Sequence, residues 1–515
     1  MNKISTPSPA LFFFCALLLV STIATAQDGM LDSTFGKNGI VISSLGTGND
    51  FGNTVVLQPD GKIVVAGNSG NNLALIRYLI NGSIDPTFGS TGTVSTNIGC
   101  ANAIGSSCIL QLDGKIIVGG YCGIFSNYDF TVTRYNSNGL IDNMFGSSGT
   151  VRTPILSGGD QGTSIALQPN GKILVGGFTD NGSNSDLALV RYNSDGTLDT
   201  SFDSDGIVTT SVGPAGDMIR SIVVQSDGKI VVAGFSYTSA SFSYDFVVLR
   251  YNTNGSLDNT FGSGGILTTA IVSNNNDYGE SIAIQPDGKI LVGGYSYTGF
   301  LLLSRYETDG SLDKTFGTGG KVSTPYGCVY QNDYSLALQK DGKILLGGFS
   351  TLRNTNSDFA VARYNANGII DLTFGDQGIA TTPIGIGDDI ATSIAIASDG
   401  KIVVAGRTHN GSNFDIAVVR YNSTNPSSIS SPIDPKGIEI HHNPLSNQIE
   451  VSSDTYFNEA TIIFYNYLGQ SVYEMNNVNG QLVTISSDNV PHGLNFVRLT
   501  ENGVPLIFDK IVVVH

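Results

Sequence analysis

Tryptophan is absent from this chain, and histidine is scarce, with five in 515 residues. The lack of Trp removes the side chain most often used to stack on a sugar ring. Four of the histidines, His441, His442, His492 and His515, lie towards the C-terminus, which leaves His409 alone in the remainder. No His-x-His or His-Glu-x-x-His spacing occurs, so neither a histidine-held metal nor a histidine base has a motif behind it. The expectation is no catalytic residue, no metal and no cofactor, with His409 a solvated loop residue. Basic residues are also in deficit, 26 Lys and Arg against 43 Asp and Glu, for a net charge of −17. An acidic surface repels phosphate backbones, which argues against nucleic acid and fits solubility outside the cell.

Long apolar segments are equally rare. The clearest, Ala10 to Val20, follows Lys3 and precedes Ala24-Thr25-Ala26, the layout of a secretory signal peptide over residues 1–26. It is shorter than the ~20 residues a membrane helix needs. No later run is long enough, so the mature chain is expected to be exported and to have no membrane span.

What the chain has is repetition. Asp-Gly-Lys begins at Asp60, Asp113, Asp227, Asp287, Asp341 and Asp399, with Asn-Gly-Lys at Asn170, at intervals of 53 to 60 residues. Arg-Tyr pairs follow, at Arg77, Arg134, Arg191, Arg250, Arg305, Arg363 and Arg420. An Asp-x-x-Phe element precedes each unit, at Asp32, Asp85, Asp142, Asp199, Asp258, Asp313 and Asp371. Repetition at this period points to one supersecondary block stacked on its neighbours.

Within the third block, Gly206-Ile-Val-Thr-Thr210 and its counterparts at Gly149 and Gly320 read as a first strand. The runs Ser164 to Gln168 and Ile173 to Gly177, joined by Asn170-Gly171, read as a hairpin, because such turns need positive φ. Asp186 to Tyr192 closes the unit as a fourth strand. Asp85-Pro86-Thr87-Phe88 has the start signal of a helical turn, so Asp-x-x-Phe is expected to link units, with its Phe packed between them. Runs such as Ile230-Val-Val-Ala-Gly234 are apolar on both faces, so the sheets must be covered on both sides. The strands are too short for an outer-membrane barrel, and the period is too long for a β-solenoid. The predicted fold is all-β: a seven-bladed β-propeller of four-stranded antiparallel blades over residues 27–422. Repeat phase alone leaves open whether first and last blades share a strand.

Asp-x-Thr-Phe-Gly, Gln-x-Asp-Gly-Lys and Arg-Tyr-Asn, recurring in that order, resemble the delta-60 repeat family of β-propellers. The resemblance spans roughly residues 30 to 421, implies a bacterial secreted or surface protein, and brings no active site. Asn170 and Asp203 depart from the pattern.

Residues 423–436 are rich in Ser and Pro and read as a linker. Residues 437–515 show alternating strands and are predicted to form a small C-terminal β-sandwich. This stretch is similar to the C-terminal sorting domain of the type IX secretion system of Bacteroidetes, through Asn443-Pro444, Tyr467-Leu468-Gly469-Gln470, Gly493-Leu494 and the closing Lys510-Ile-Val-Val. Asn495 stands where that family commonly has Tyr. The resemblance makes Asn443, Pro444, Gly469, Gly493 and Lys510 the sorting-motif residues and the type IX machinery the partner. It implies passage across the outer membrane, followed by release or attachment at the cell surface.

Candidate chemistry is sparse. The repeated Arg residues are expected to form structural ion pairs, with the Asp of Asp-x-x-Phe as candidate partner. The Lys of each Asp-Gly-Lys is expected in solvent. Asn193-Ser-Asp-Gly196 with Asp199 superficially resembles a calcium loop but reads better as turn chemistry. Cys100, Cys108 and Cys122 share one repeat, so one local disulfide is expected there, its pairing open, with Cys328 too distant to join.

Loops after the third strands (68–72, 122–128, 179–185, 237–244 and 351–357) are rich in Asn, Ser, Gly and Tyr, a composition suited to recognition. Tyr121, Tyr237, Tyr244, Tyr295 and Tyr297 are candidate sugar-stacking residues. The leading expectation is a non-catalytic module for adhesion or for binding a glycan or protein. One alternative is a glycoside hydrolase or lyase with paired carboxylates at the channel mouth, Asp160, Asp217 and Asp388-Asp389 being candidates as acids particular to single blades. Another is a structural surface component.

Overall fold

The computed structural model describes residues 28–124, 127–239, 242–325, 334–351, 356–423, 438–443, 446–466, 471–491, 493–501 and 504–513. The expected signal peptide, the linker beyond Ser423, Cys328, Pro444 and Gly469 therefore lie outside the described residues.

Seven four-stranded antiparallel sheets are present, each one blade, along with one five-stranded sheet. Blade 3 shows the plan from axis to rim: Asp160–Leu167, Ile173–Asp180, Ser185–Tyr192 and Ile207–Thr210. Blades 1, 2, 4, 5 and 6 repeat it over residues 50–96, 103–153, 217–269, 277–325 and 335–382. The inner strands touch their neighbours all the way round, the seventh against the first, so the ring is closed. The second and third strands are buried almost throughout, because each blade is covered on both faces by the next.

The order of strands within the sequence repeat differs from expectation. The Gly-Ile-Val-Thr-Thr run is not the first strand of a blade but the outermost strand of the preceding one, as Ile207–Val190 and Thr210–Leu187 pairing shows. Hydrophobic pattern reports burial but not which neighbour a strand pairs with, so the phase was invisible. This shift decides closure. Ile40–Ser43 has no preceding blade in sequence and completes blade 7 by pairing with Ile416–Val419, while Ile402–His409 and Asp389–Ile396 complete that sheet inward.

At the face opposite the variable loops, one network recurs in every blade. The turn Gln58-Pro59-Asp60-Gly61-Lys62 holds Gly61 at φ 82°, and the sister glycines lie between 81° and 85°, where Cβ-bearing residues are strained. The Asp60 carboxylate accepts the Lys62 N–H at 3.2 Å. Lys62 does not point into solvent as expected. It reaches Asp85 at 3.3 Å, and all seven lysines reach the Asp of an Asp-x-x-Phe element. The same carboxylates take the expected Arg, at 2.5 to 2.9 Å. Arg77 also donates to the Ser137 carbonyl of the next unit at 2.7 Å and lies over the Phe88 ring, 4.6 Å from its centroid.

Phe88 and its six sisters are fully buried, each contributing about 1.5–3 kcal/mol by leaving water. Burial opposes ionisation of Asp85, but the Thr87 hydroxyl and N–H, Arg77 and Lys62 outweigh it and bring the carboxyl down to about 2. Asp32 supplies the element for blade 7, bonded to Arg420 and Lys401, so the N-terminal segment closes the ion network as well as the sheet. The Tyr of the Arg-Tyr pair ties neighbouring blades at six of the seven positions, Tyr135 being the exception: the Tyr192 hydroxyl donates to Thr153 on the outer strand of the blade before, at 2.8 Å.

The C-terminal unit comprises Glu439–Asn443, Gln448–Asn466, Ser471–Ser486, Gly493–Glu501 and Val504–Val513. Gln448–Asn466 is long enough to pair with three of the others, and the sheet folds about a core that includes Ile449, Phe457, Ile462, Phe464, Val497 and Leu499. Asn443 pairs with Gln448 beside a tight turn, and Lys510 lies in the last strand opposite position 496. Gly493 opens its strand at φ 105°, a value that favours glycine. Asn495 is buried and donates to the Pro491 and Gly493 carbonyls at 2.6 and 3.1 Å.

Candidate functional site

The carboxylates proposed for single blades turn out to be a repeated device. Asp160, Asp217 and Asp389 each begin an inner strand, as do Asp50 and Asp277, and all five are fully buried. Each accepts N–H groups from the loop that enters its blade: Ile155 to Asp160 at 2.7 Å, Val212 to Asp217 at 2.7 Å, Ile384 to Asp389 at 2.6 Å. A hydroxyl on the second strand completes the clamp, Thr179 on Asp160 and Ser236 on Asp217. Burial pushes all three carboxyls upward against these hydrogen bonds, and pushes Asp277 up to about 6. Asp388 accepts the Ser357 N–H at 2.9 Å. These acids hold loops. None is among the described residues that line the axial cavity.

Blade 2 lacks the clamp, since Ala103 stands in the Asp position and Cys122 opposite it. There a disulfide joins Cys100, on the entering loop, to Cys122, with Cα atoms 6.1 Å apart. That is the local bridge anticipated, and it does the clamp's work with different chemistry. Cys108 is free and buried.

The clamps seat the loops so that entering loops and the variable loops, which in the observed phase join second to third strands, meet at one rim. Asn184 donates to the Ala215 carbonyl at 3.2 Å, and Asn413 to that of Thr47 at 3.0 Å. His409 belongs to this rim and is half-buried, its ring edge-on to Phe414 at 4.9 Å. Asp195 is spent on its own turn, accepting the Thr197 N–H at 3.0 Å and hydroxyl at 2.7 Å. Among the described residues no group of three metal-ligating side chains converges.

Below the rim, around the axis, is a cavity of about 730 Å³. The inner strands of six blades carry a bulge three residues in, as between Gly162 and Ser164, which turns one extra side chain to the axis, and Tyr334, just ahead of the sixth blade's inner strand, holds the matching place. Those side chains are Asn53, Ser106, Thr163, Arg220, Glu280, Tyr334 and Thr392, and all line the cavity. The next position is Ser or Thr in every blade. Several of these hydroxyls accept an N–H from the following blade, such as Ile222 N–H to Ser164 at 3.2 Å.

Second-strand side chains form the wall nearer the rim: Tyr121, Phe178 and Arg407 line the cavity, while Phe235, Tyr295 and Phe349 occupy the equivalent place in blades 4 to 6. Those three join Tyr244, Tyr278 and Tyr334 in a ladder of ring contacts spaced 4.9 to 6.1 Å. Of the tyrosines singled out from sequence, Tyr121 lines the cavity, and Tyr237, Tyr244 and Tyr295 belong to the ladder. Tyr297 lies outside on an exposed turn.

Three charged residues line the cavity among those described: Arg220, Glu280 and Arg407. Arg220 and Glu280, on adjacent blades, approach to 3.5 Å, and Arg220 also lies 5.4 Å over the Phe235 ring. Arg407, on the opposing wall, rests on Phe51 at 5.1 Å and Phe414 at 5.8 Å. Sequence reasoning missed all three. The signal for Arg220 and Glu280 was present: aligning the seven inner strands with one another exposes a single column that runs Asn, Ser, Thr, Arg, Glu, Tyr, Thr beside an almost uniform Ser, whereas Arg407 stands on a second strand.

No helix among the described residues is long and apolar enough to cross a membrane. No curated protein matches the chain. Solved structures with some likeness include virginiamycin B lyase from Staphylococcus aureus, 14% identical over 74% of this chain and 98% of that one, TM-score 0.45. A polysaccharide lyase, an ulvan lyase bound to a glucuronate–rhamnose-3-sulfate unit, is 10% identical over 76% and 94%, TM-score 0.41. PorZ of the type IX secretion system of Porphyromonas gingivalis is 10% identical over 93% and 82%, TM-score 0.24. Likenesses this faint say nothing about chemistry. Family models are more specific. The one described as "Domain of unknown function (DUF5122) beta-propeller" matches seven segments, 58–88, 111–145, 168–202, 225–261, 285–316, 339–374 and 397–425. The secretion-system C-terminal sorting domain matches residues 439–514. Residues 58–425 are thus seven repeats of this propeller family, followed by a type IX sorting domain that directs the chain to the cell surface or beyond.

Proposed function

We propose that the exported propeller is a non-catalytic recognition module that binds a glycan in the axial cavity and across its rim. The observation that carries this reading is the makeup of the cavity wall. Aromatic and apolar side chains (Phe178, Met218, Tyr121) alternate with hydroxyls and amides (Thr163, Gln161, Asn53) in one concave site. A sugar presents apolar C–H faces and a fringe of hydroxyls, and such a wall meets both. Two-carboxylate glycoside hydrolysis needs a second acid about 5–10 Å from the first. Glu280 is the one carboxylate among the described lining residues.

A second reading, a lyase, draws on the grouping of Arg220, Glu280 and Tyr334 on successive blades, since proton abstraction beside a carbonyl needs a base and a cation. The test is a polysaccharide panel scored for retention on the immobilised exported chain and for product release, with Phe178→Ala and Met218→Ala beside it. Retention without cleavage, weakened about tenfold by either substitution as the loss of a stacking contact requires, is the expected result. Steady release of unsaturated or shortened chains would make it an enzyme. The type IX machinery is the partner in export, through Asn443, Gly493, Lys510 and their neighbours in the sorting domain.

A further inference from the structure

We propose that the glycan is a polymer of an N-acetylated amino sugar, its acetamido group seated between blades 3 and 4 against Thr163, Ser164, Phe178 and Met218. This deepens the glycan-binding reading and rests on it. The cavity wall is not equally open all round. From blade 4 to blade 6 it is sealed, Phe235, Tyr295 and Phe349 being at most 6% exposed. At the joint of blades 3 and 4, Phe178 and Met218 line the cavity and are partly exposed. They hold the places that Phe235 and Tyr278 hold one blade on, where the two rings lie 4.9 Å apart, so together they make one apolar patch. The joints of blades 1 with 2, 2 with 3 and 7 with 1 put Asn68, Gln161 or Arg407 in one of these two places. Blades 3 and 4 thus form the open joint at which both are apolar.

Beside the patch, hydrogen-bonding polarity is fixed by the fold. Thr163 spends its proton on carbonyls, that of Ile219 in the next blade at 2.6 Å and that of Gly176 at 3.1 Å, so towards the cavity its oxygen accepts. Ser164 is the reverse. Its oxygen already takes the Ile222 N–H at 3.2 Å, so its proton is what it has to give. An acetamido group is the complement of this layout, with an N–H that only donates, a carbonyl that only accepts, and an apolar methyl. A sugar hydroxyl donates and accepts at once, needs no such ordering, and would leave the patch unfilled.

The experiment measures affinity of the exported full-length chain for three soluble oligomers of the same linkage and length, built of N-acetylglucosamine, glucosamine and glucose. High salt screens the ammonium groups of the second. The acetylated oligomer should bind about tenfold more tightly than either of the others, as a filled methyl site and a paired amide require. Met218→Ala should remove that preference while leaving the glucose oligomer where it was, and Met218→Leu, which keeps the volume, should retain it. A purely structural role for Met218 would instead lower all three together. An acetylated oligomer that binds no better than glucose, a preference that Met218→Ala leaves intact, or retention of unacetylated polymers alone would overturn the acetamido assignment while the glycan reading stands. Failure of all three oligomers, and of every member of the wider panel, would remove the glycan reading and this inference with it.

Discussion

Replacing Cys100 and Cys122 together by serine would leave the joint between blades 1 and 2 with neither a disulfide nor a carboxylate. The bridge closes a loop of 22 residues, for which the chain-entropy relation gives about 3 kcal/mol. Spread over the unfolding entropy of a ring spanning residues 28–423, that is a fall in Tm of about 4 °C. The structure also predicts a rescue. Entering loops of blades 1, 3, 4 and 7 donate an N–H from five residues before the clamp aspartate, from Leu45, Ile155, Val212 and Ile384. The residue at that spacing in blade 2 is Ile98.

Adding Ala103→Asp and Cys122→Thr to Cys100→Ser should therefore rebuild the clamp found at Asp389 and Thr408. Hydrogen bonds to a charged group are worth about 1.5–3 kcal/mol each, set against the burial that raises such carboxyls, so at least half of the lost Tm should return. Differential scanning calorimetry of the three proteins decides it. A rescue variant that melts with the double-serine protein would refute the equivalence of staple and clamp.

Asp85→Asn should cost about 3 kcal/mol, because it strips the shared partner from buried Arg77 and from Lys62; urea titration reads the loss. Asp85 and Asp371 titrate near 2 when folded, below the ordinary 3.8. The unfolded chain thus binds more protons in that window: the stabilisation is complete above about pH 4 and disappears as pH falls towards 2, which urea midpoints across pH 2–6 would record. Asp277 has the opposite sign. Its folded carboxyl titrates near 6, so its contribution is full below about pH 4 and is lost as pH rises through 6, by at most about 3 kcal/mol, and Asp277→Asn should flatten that slope. Deleting residues 27–44 removes both the outer strand of blade 7 and Asp32, so the product should lose its cooperative melt and show a larger Stokes radius. A melt unchanged from the intact chain would contradict closure by this segment.

The ring, the blade count, the Arg–Asp pairing and the sorting domain were legible because each recurs or follows a spaced motif. The phase of the blade was not. A four-residue strand such as Ile207–Thr210 looks the same whether it begins a sheet or ends one, and only its ladder to Leu187–Val190 tells which. The lysines were misread for a related reason. A residue two places after a tight turn points outward locally, yet Lys172 has a reach that brings it within 2.6 Å of Asp199, a partner far along the chain. Asp160 and Asp217 looked particular to their blades because Ala103 and the Cys100–Cys122 bridge interrupt the series.

Closure of seven blades about one axis separates two kinds of position. Turn and ion-network positions satisfy the same local geometry in all seven blades and clamp positions in five, so their chemistry is repeated, and a change at any of them is felt as stability. The bulge positions meet at the axis, where one ligand sees all seven at once and sevenfold identity would serve no purpose. There the chain varies freely, from Thr163 to Arg220, Glu280 and Tyr334 in successive blades from the third to the sixth. No single repeat can therefore be read for function, since the site exists only as the set. The same holds for the second-strand and inner-strand side chains that line the cavity beside them, so Phe178→Ala and Met218→Ala should shift binding with little effect on the melt, whereas Asp85→Asn should do the reverse. A substitution at the bulge column that unfolded the ring without touching affinity would mean the column belongs to the scaffold after all.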